Sequence, residues 1–473
     1  MSTAIVWFRR DLRLTDQPAL SYAAQHHQHL IALYIHRDGE DHPIGAASRW
    51  WLHHSLFALN ESLIAKQSRL IIRQGQCLEV LEKIIKESKA EAVFWNRLYE
   101  PHLIARDSII KETLIQKGLI VKSFNASLLN EPWAITKSDG QPYQVFTAYM
   151  NACLKQSPFA SKPLSAPKQL PSSPPIKSDS LKKLSLLPKI AWDKNFYACW
   201  QPGELGAHRT LNDFAKTRVS HYATARDFPA THGTSLLSPH LAFGEISAHT
   251  IHTTLSKNSS QNGNSSYLRQ LYWRDFANYL LFHFPDTKNQ PLDKRFLHFA
   301  WRKNTKKEFN AWSKGQTGIP IVDAGMRELW STGWMHNRVR MITASFLCKN
   351  LRISWQQGAQ WFWDTLVDAD LANNTMGWQW VAGCGADAAP YFRIFNPVLQ
   401  SEKFDEGGDY LKKWVPEIAG LPNKYIHAPW QTPAEILNES GVVLGKTYPH
   451  PIVDLSQSRI DALAAFSHIK TYK

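Results

Sequence analysis

The chain has 473 residues, 44% of them hydrophobic, and a formal charge of +14, with a sequence pI near 9.4 and a mean hydropathy of −0.35. It contains no run of about eighteen apolar residues, so no membrane span is expected, and MSTAIVWFRRDLR lacks a secretory-signal pattern. Five scattered cysteines (Cys77, Cys153, Cys199, Cys348, Cys384) without a CxxC argue against a disulfide scaffold, zinc or an iron–sulfur cluster and for a reducing, cytoplasmic setting, while the basic charge suits a polyanionic partner, nucleic acid first.

Residues 3–125 alternate short apolar runs (TAIVWF, LIALYI, RLIIRQ, EAVFWN, LIVKSF) with helical patterns at Ala46–Gln67, Cys77–Ala90 and Pro101–Gly118. That alternation predicts an α/β domain, a doubly wound parallel five-stranded sheet with helices on both faces. No GxGxxG or GxxxxGK[ST] follows a strand, so a dinucleotide or triphosphate fingerprint is absent. Such sheets bind ligands beyond the carboxyl ends of their strands, where Asn96, Tyr99 and Glu100 of WNRLYEP would stand.

Glu131–Leu154 reads as a hairpin-like excursion followed by a helix. Gln156–Lys189 is loaded with Pro, Ser and Lys, a composition that buries little, and predicts a long linker crossing the surface. From about Trp192 the pattern is helical: Glu204–Thr217, Ile246–Leu255, Ser266–Phe284, Pro320–Trp330, Trp334–Lys349 and Trp355–Val367. The expected domains are 1–130 (α/β), 131–195 (hairpin and linker) and 196–473 (all-helical).

Fourteen of the nineteen tryptophans lie from Trp192 onward. The focus of this helical part runs from Trp334 to Phe404. Trp334, Asn337, Arg338 and Met341 fall at i, i+3, i+4 and i+7 of one predicted helix. An indole, an amide, a guanidinium and a thioether in one stripe suit a flat π-system bonded at its edge; an amphipathic helix face is the plainer reading. Trp378 and Trp380 would point in roughly opposite directions, about 200° apart. Asp368 and Asp370 form a DxD that lacks flanking ligands for a metal; Asp368 paired with Arg340 would keep both ionised when buried. Thr234, Ser235 and Ser238 precede Pro239 and a predicted helix, either as caps or as a phosphate seat.

IVWFRRDLRLTDQPAL (Ile5–Leu20), GWMHNRVRMITASFL and DADLANNTMGWQWVAGCGADAAPYFRIFNP together resemble the photolyase/cryptochrome family, and within it the class I cyclobutane pyrimidine dimer photolyases. The likeness runs in order along nearly the whole chain. It implies a C-terminal all-helical FAD-binding domain, with FAD active as the reduced anion, a damaged-DNA substrate and a monomeric protein. FAD contacts would be Tyr222, Thr234, Ser235, Leu236, Leu237, Ser238, Tyr267, Trp334, Asn337, Arg340, Asp368, Asp370 and Asn374, the last near flavin N5. An amide, donor and acceptor at once, suits that place.

The resemblance further implies that Trp301, Trp355 and Trp378 carry electrons from the surface, with Arg340 and Asp368 beside the ring system. Arg226, Gln270, Trp273, Asn337, Arg338, Met341 and Trp380 would line the pocket for a dimer extruded from the duplex. Asn96, Tyr99 and Glu100 would contact a second, antenna chromophore, methenyltetrahydrofolate ahead of a deazaflavin. Gln270 departs from the class I pattern, which places Glu there; (6-4) photolyases often have Gln, but the second histidine they carry near WMHNRVRM is missing. A cryptochrome photoreceptor and a (6-4) photolyase therefore stand as alternatives to a light-dependent DNA-repair lyase.

Overall fold

The structure, a computed structural model, describes residues 2–37, 42–156, 162–256, 262–388 and 392–472. The stretch 157–161 of the expected linker and 389–391 of the C-terminal motif lie outside the described residues. The chain forms two compact units, one of Met1–Ser220, Ser235–Pro285 and Val367–Asp370, the other of His221–Thr234, Asp286–Leu366 and Leu371–Lys473.

In the first unit the five apolar runs are strands β1 (Thr3–Phe8), β2 (His29–His36), β3 (Leu70–Gln74), β4 (Ala92–Asn96) and β5 (Ile120–Phe124). All neighbouring pairs are parallel, in the order β3-β2-β1-β4-β5. Between them run α1 (Pro18–His26), α2 (Ala46–Ile64), α3 (Cys77–Ser88) and α4 (Pro101–Gln116). Because side chains alternate along a strand, Ile5, Trp7, Ile31, Leu33, Val93 and Trp95 share one face and pack with Leu81 and Ile84 of α3 and Ile110 and Leu114 of α4. Phe94 faces the other way and meets Tyr22 of α1, ring centroids 5.1 Å apart. The central strands are buried on both faces, which is why their runs are continuously apolar rather than alternating.

Two expectations are corrected here. Residues 131–145 contain no strand; a turn closes between Lys137 and Gln141 (3.3 Å) ahead of α5 (Phe146–Gln156). The Pro/Ser/Lys stretch is a strap rather than a surface crossing that buries nothing. Leu170, Ile176, Leu184 and Leu186 are buried. Strand β3 is an edge, and Ile72 there receives a bond from the Asp179 amide (2.9 Å) and donates to the Ser178 hydroxyl (2.9 Å). An extended, proline-rich segment is well suited to cover an open edge that would otherwise template association.

The turn after β1 is held by charges. The Arg13 guanidinium gives its protons to the carbonyls of Thr15 (2.9 Å), Asp16 (2.6 Å), Ala126 (2.8 Å) and Gly244 (2.8 Å). Asp16 accepts from the Ser247 hydroxyl (2.5 Å) and the Leu164 amide (3.0 Å). Burial alone would raise the Asp16 carboxyl, but bonds from His249, Ser247 and Leu164, with the Arg13 charge, bring it down to about 2. A carboxyl lowered in the folded state contributes stability above its unfolded value, near pH 4, and loses it as pH falls through about 2. Asp16→Asn, which tolerates the left-handed backbone at this position (φ 49°), is expected to lose about 2 kcal/mol at pH 7. Denaturant unfolding should show the gap from the parent closing between pH 4 and pH 2.

The first unit continues with α6 (Glu204–Asp213), α7 (Ser238–Ala242), α8 (Ala248–Ser256) and α9 (Asn262–His283). The second is helical: α10 (Lys306–Ser313), α11 (Pro320–Thr332), α12 (Asn337–Ser345), α13 (Trp355–Thr365), α14 (Leu371–Ala382), α15 (Pro397–Phe404), α16 (Asp409–Trp414) and α17 (Leu455–Ile469). A π-turn, Phe346–Asn350, extends α12. Two glycines permit close helix approach. A β-carbon on Gly325 would lie 2.3 Å from Val339, and one on Gly358 would lie 2.1 Å from the Trp378 ring. Among the described residues no helix is long and apolar enough to cross a membrane.

Candidate functional site

In the first unit the loop before α7 is built from hydroxyls and strain. Leu236 holds φ at +58°, a left-handed conformation costly for a residue with a side chain. The Ser235 hydroxyl oxygen accepts from the Leu237 amide (3.2 Å) and from the Tyr267 phenol (3.0 Å), which leaves its own proton to donate. The Ser238 hydroxyl donates to Asp368 Oδ2 (2.6 Å). Four predicted contacts thus form two bonded pairs, Ser235 with Tyr267 and Ser238 with Asp368, from stretches far apart in sequence. Helix α7 has only five residues, so the seat is made by side chains and loop amides rather than by a long helix dipole. The Ser235 proton can bond an acceptor on a ligand, and the Asp368 carboxylate can accept from a hydroxyl or N–H group.

Trp273 of α9 stacks on Phe146, centroids 3.6 Å apart and planes 8° from parallel. Phe146 is fully buried and Trp273 half-buried, so one indole face rests on core and the ring is fixed as a platform. Gln270, one turn earlier, donates from Nε2 to the carbonyl of Ser266 (3.0 Å).

At the carboxyl ends of β1 and β4, where strand order reverses, the crevice is filled by the chain itself. Asp11 accepts from Asn96 Nδ2 (2.6 Å), Gln17 Nε2 (2.8 Å) and the Arg9 amide (2.6 Å). The Arg9 guanidinium pairs with Asp107 and bonds the Asn96 carbonyl. Tyr99 donates to Glu131 (2.8 Å), and Glu100 pairs with Arg10. Asn96, Tyr99 and Glu100 are each buried and engaged internally.

In the second unit one predicted element needs correcting. Helix α12 starts at Asn337, capped by His336, so Trp334 stands outside it and not on its stripe. Gly333 (φ 68°) ends α11 and Thr332 Oγ1 bonds both the amide and the carbonyl of Trp334. A helix stop and a helix start four residues apart override the 3.6-residue pattern. Asn337 and Met341 do share a face, Nδ2 to Sδ 3.9 Å. Arg338 pairs with Asp227 (2.7 Å) and lies 4.3 Å over the Phe404 ring. Arg340 donates from Nε to the Met335 carbonyl (2.7 Å), 5.8 Å from the Trp334 ring. Arg226 lies 5.8 Å over Tyr222.

Beneath them, burial, then the Arg340 charge, lowers the His336 imidazole to about 4. It is therefore neutral at pH 7, and Nδ1 accepts the Arg338 amide (3.2 Å). Burial raises Glu328 to about 7; it accepts from the His336 amide (3.1 Å) and the Tyr410 phenol (2.7 Å).

Helix α14 carries Asn374, Trp378 and Trp380. Asn374 Nδ2 donates to the Ala359 carbonyl (2.9 Å). Trp378 is buried, 4.9 Å from Phe362 and 6.3 Å from Trp312. Trp380 is half-buried on the opposite side and donates from Nε1 to the Asp387 carbonyl (3.0 Å), as spacing predicted. Trp355 is buried; Trp301 is half-buried, 4.5 Å from Phe299. Among the described residues these three relay candidates make no direct ring contact with one another. Thr234 and Asp370 are half-buried. No group of three metal-ligating side chains occurs among the described residues.

Sequence reasoning passed over Gln379. Its Oε1 accepts the Leu292 amide (2.9 Å), and Nε2 donates to the carbonyls of Thr287 (2.6 Å) and Gln290 (2.9 Å). Its own carbonyl accepts from Gly383, Cys384 and Gly385 (3.0, 3.0 and 3.1 Å). A buried polar residue between two tryptophans was the available signal.

Residues 4–171 match the family model described as DNA photolyase, and residues 267–468 that of the FAD binding domain of DNA photolyase. A deoxyribodipyrimidine photo-lyase of Agrobacterium fabrum is 48% identical over 98% of both chains. The chain belongs to the photolyase/cryptochrome family. A crystal structure of a bacterial class III photolyase from Agrobacterium tumefaciens, 47% identical, covers 100% of this chain and 98% of its own with a TM-score of 0.96. Cryptochrome-2 of Arabidopsis thaliana is 38% identical over 96% of this photolyase-family chain and 77% of its own length. The five-stranded parallel domain followed by a helical FAD-binding domain is the architecture of this family. The motifs point to class I, whereas the solved relative is described as class III.

Proposed function

We propose that this protein is a light-dependent DNA-repair lyase that splits cyclobutane pyrimidine dimers, of the type of its class III relative, in the cytoplasm and as a monomer. The observation that carries this reading is the agreement along the full chain, at 47% identity, with a photolyase. Reduced FAD, when bound and excited by light, supplies the electron that opens the cyclobutane ring and takes it back. The residues proposed to hold it are Tyr222, Thr234, Ser235, Leu236, Leu237, Ser238, Tyr267, Trp334, Asn337, Arg340, Asp368, Asp370 and Asn374. The Ser235 proton and the Asp368–Ser238 pair support this assignment.

Trp273 and Trp380 are proposed to stack on the extruded lesion, with Arg226, Gln270, Asn337, Arg338 and Met341 around it. Half-exposed indoles on fixed supports suit unpaired bases. The Asp227 carboxylate fixes the Arg338 guanidinium (2.7 Å), which supports its proposed role as an oriented donor. We assign domains 1–130, 131–195 and 196–473 to antenna, connection and catalysis, with methenyltetrahydrofolate the expected antenna near Asn96, Tyr99 and Glu100.

The deciding experiment illuminates the purified protein with DNA carrying one defined lesion. Loss of the cyclobutane dimer only in the light is expected. Repair of the (6-4) photoproduct instead would transfer the reading to the enzyme class that Gln270 matches, and neither repair would favour the photoreceptor reading suggested by the cryptochrome likeness. Trp301, Trp355 and Trp378 are proposed to carry electrons inward. Trp301→Phe should slow photoreduction about tenfold or more while repair by chemically pre-reduced protein stays within twofold, since one electron step of about 1.4 kcal/mol added barrier is tenfold in rate. Equal loss of both activities would remove Trp301 from that relay.

A further inference from the structure

Lys349 has no assigned role and an unusual setting. It lies in the π-turn Phe346–Asn350, where one extra residue per turn redirects side chains, a device common at functional sites. The side chain is 1% exposed. Among the described residues it makes no hydrogen bond and no ion pair with a carboxylate. Its Nζ sits instead 3.1 Å from the centre of the Phe392 ring, which replaces only part of an ammonium's hydration.

Lys349 lines a cleft shared with Ser345, Trp380, Gly383, Arg393 and Phe395. Its lining thus includes a lysine, an arginine and an indole whose N–H is already spent on the Asp387 carbonyl. The titratable groups that act on the amine are Cys348 and Cys384. Burial pushes the Cys348 thiol up to about 12 and the Cys384 thiol higher, so both are neutral and neither balances the charge. Arg393 adds to it. An oxyanion is the missing partner.

We propose that this cleft is a seat for a phosphodiester, in which the Lys349 ammonium is the buried counter-charge and occupancy draws a proton onto the amine. The proposal deepens the DNA-repair reading and rests on it: the phosphodiester is that of the lesion-bearing strand. Burial lowers Lys349 to about 7, and an anion beside it stabilises the charged form. Binding therefore consumes a proton above pH 7, and affinity falls as pH rises through that range.

The test uses flavin-loaded protein in the dark and a duplex carrying one cyclobutane dimer, with affinity measured by anisotropy from pH 6.5 to pH 9. The parent should weaken about tenfold, the effect of displacing one protonation by one pH unit. Lys349→Arg, always charged, should hold the tight value throughout, and Lys349→Met the weak one. Calorimetry of the parent in two buffers of different ionisation enthalpy should show proton uptake at pH 8, absent in Lys349→Arg. A parent-like slope in Lys349→Met, or no proton uptake by the parent, overturns the proposal. If Lys349→Met fails to retain flavin, the parent and Lys349→Arg decide alone. Inorganic phosphate at millimolar concentration giving the same uptake overturns the assignment to DNA. Normal light-dependent repair with an unchanged slope sinks only the role of Lys349, whereas no preference for dimer DNA at any pH and no light-dependent repair sink the repair reading itself.

Discussion

Gln379→Ala is expected to destabilise the helical unit by at least about 3 kcal/mol, because truncation orphans the Leu292 amide and the Thr287 and Gln290 carbonyls at roughly 1 kcal/mol or more each. Gln379→Glu should cost about as much despite its near-identical shape. A carboxylate can accept from Leu292 but cannot donate to two carbonyls. The midpoint of denaturant unfolding, followed by far-ultraviolet dichroism, measures both. A Glu variant as stable as the parent would show that the two donated bonds contribute little.

Trp273→Ala should weaken dimer binding by roughly 10- to 100-fold, which corresponds to the ~1–3 kcal/mol of one base–aromatic stack. Flavin content should stay at the parental level, since Trp273 rests on Phe146 and Phe276 and not on the Ser235–Tyr267 and Ser238–Asp368 bonds. Trp273→Phe keeps a smaller ring and should fall between. Absorbance of the bound flavin and a dark binding titration separate the two effects. Loss of flavin in step with loss of binding would instead assign Trp273 to the support of the cofactor loop.

How far the chain could be read in advance follows the range of the interactions. Strands β1, β2 and β4 were legible because a sheet centre buried on both faces needs unbroken apolar runs, a local signal. The opposite placement of Trp378 and Trp380 followed from helical geometry alone. Trp334 was misplaced since hydrophobic periodicity is blind to the Gly333 stop and the His336 cap that break the helix between them. The proline-rich strap was underestimated because composition shows what a segment cannot build, not which sheet edge awaits it. Gln379 and Lys349 were invisible for a different reason. Gln379 acquires its meaning from partners 87 and 92 positions away, and Lys349 from a local π-turn that points a lysine inward.

The self-filled crevice between β1 and β4 bears on attempts to refit this scaffold with another pigment or nucleotide. Removing Arg9 alone would strand Asp107 with only its neighbour Arg106, and removing Asp11 alone would leave Asn96 and Gln17 donating to nothing. Either excision is worse than none, so a redesigned pocket there would demand several coordinated replacements at once.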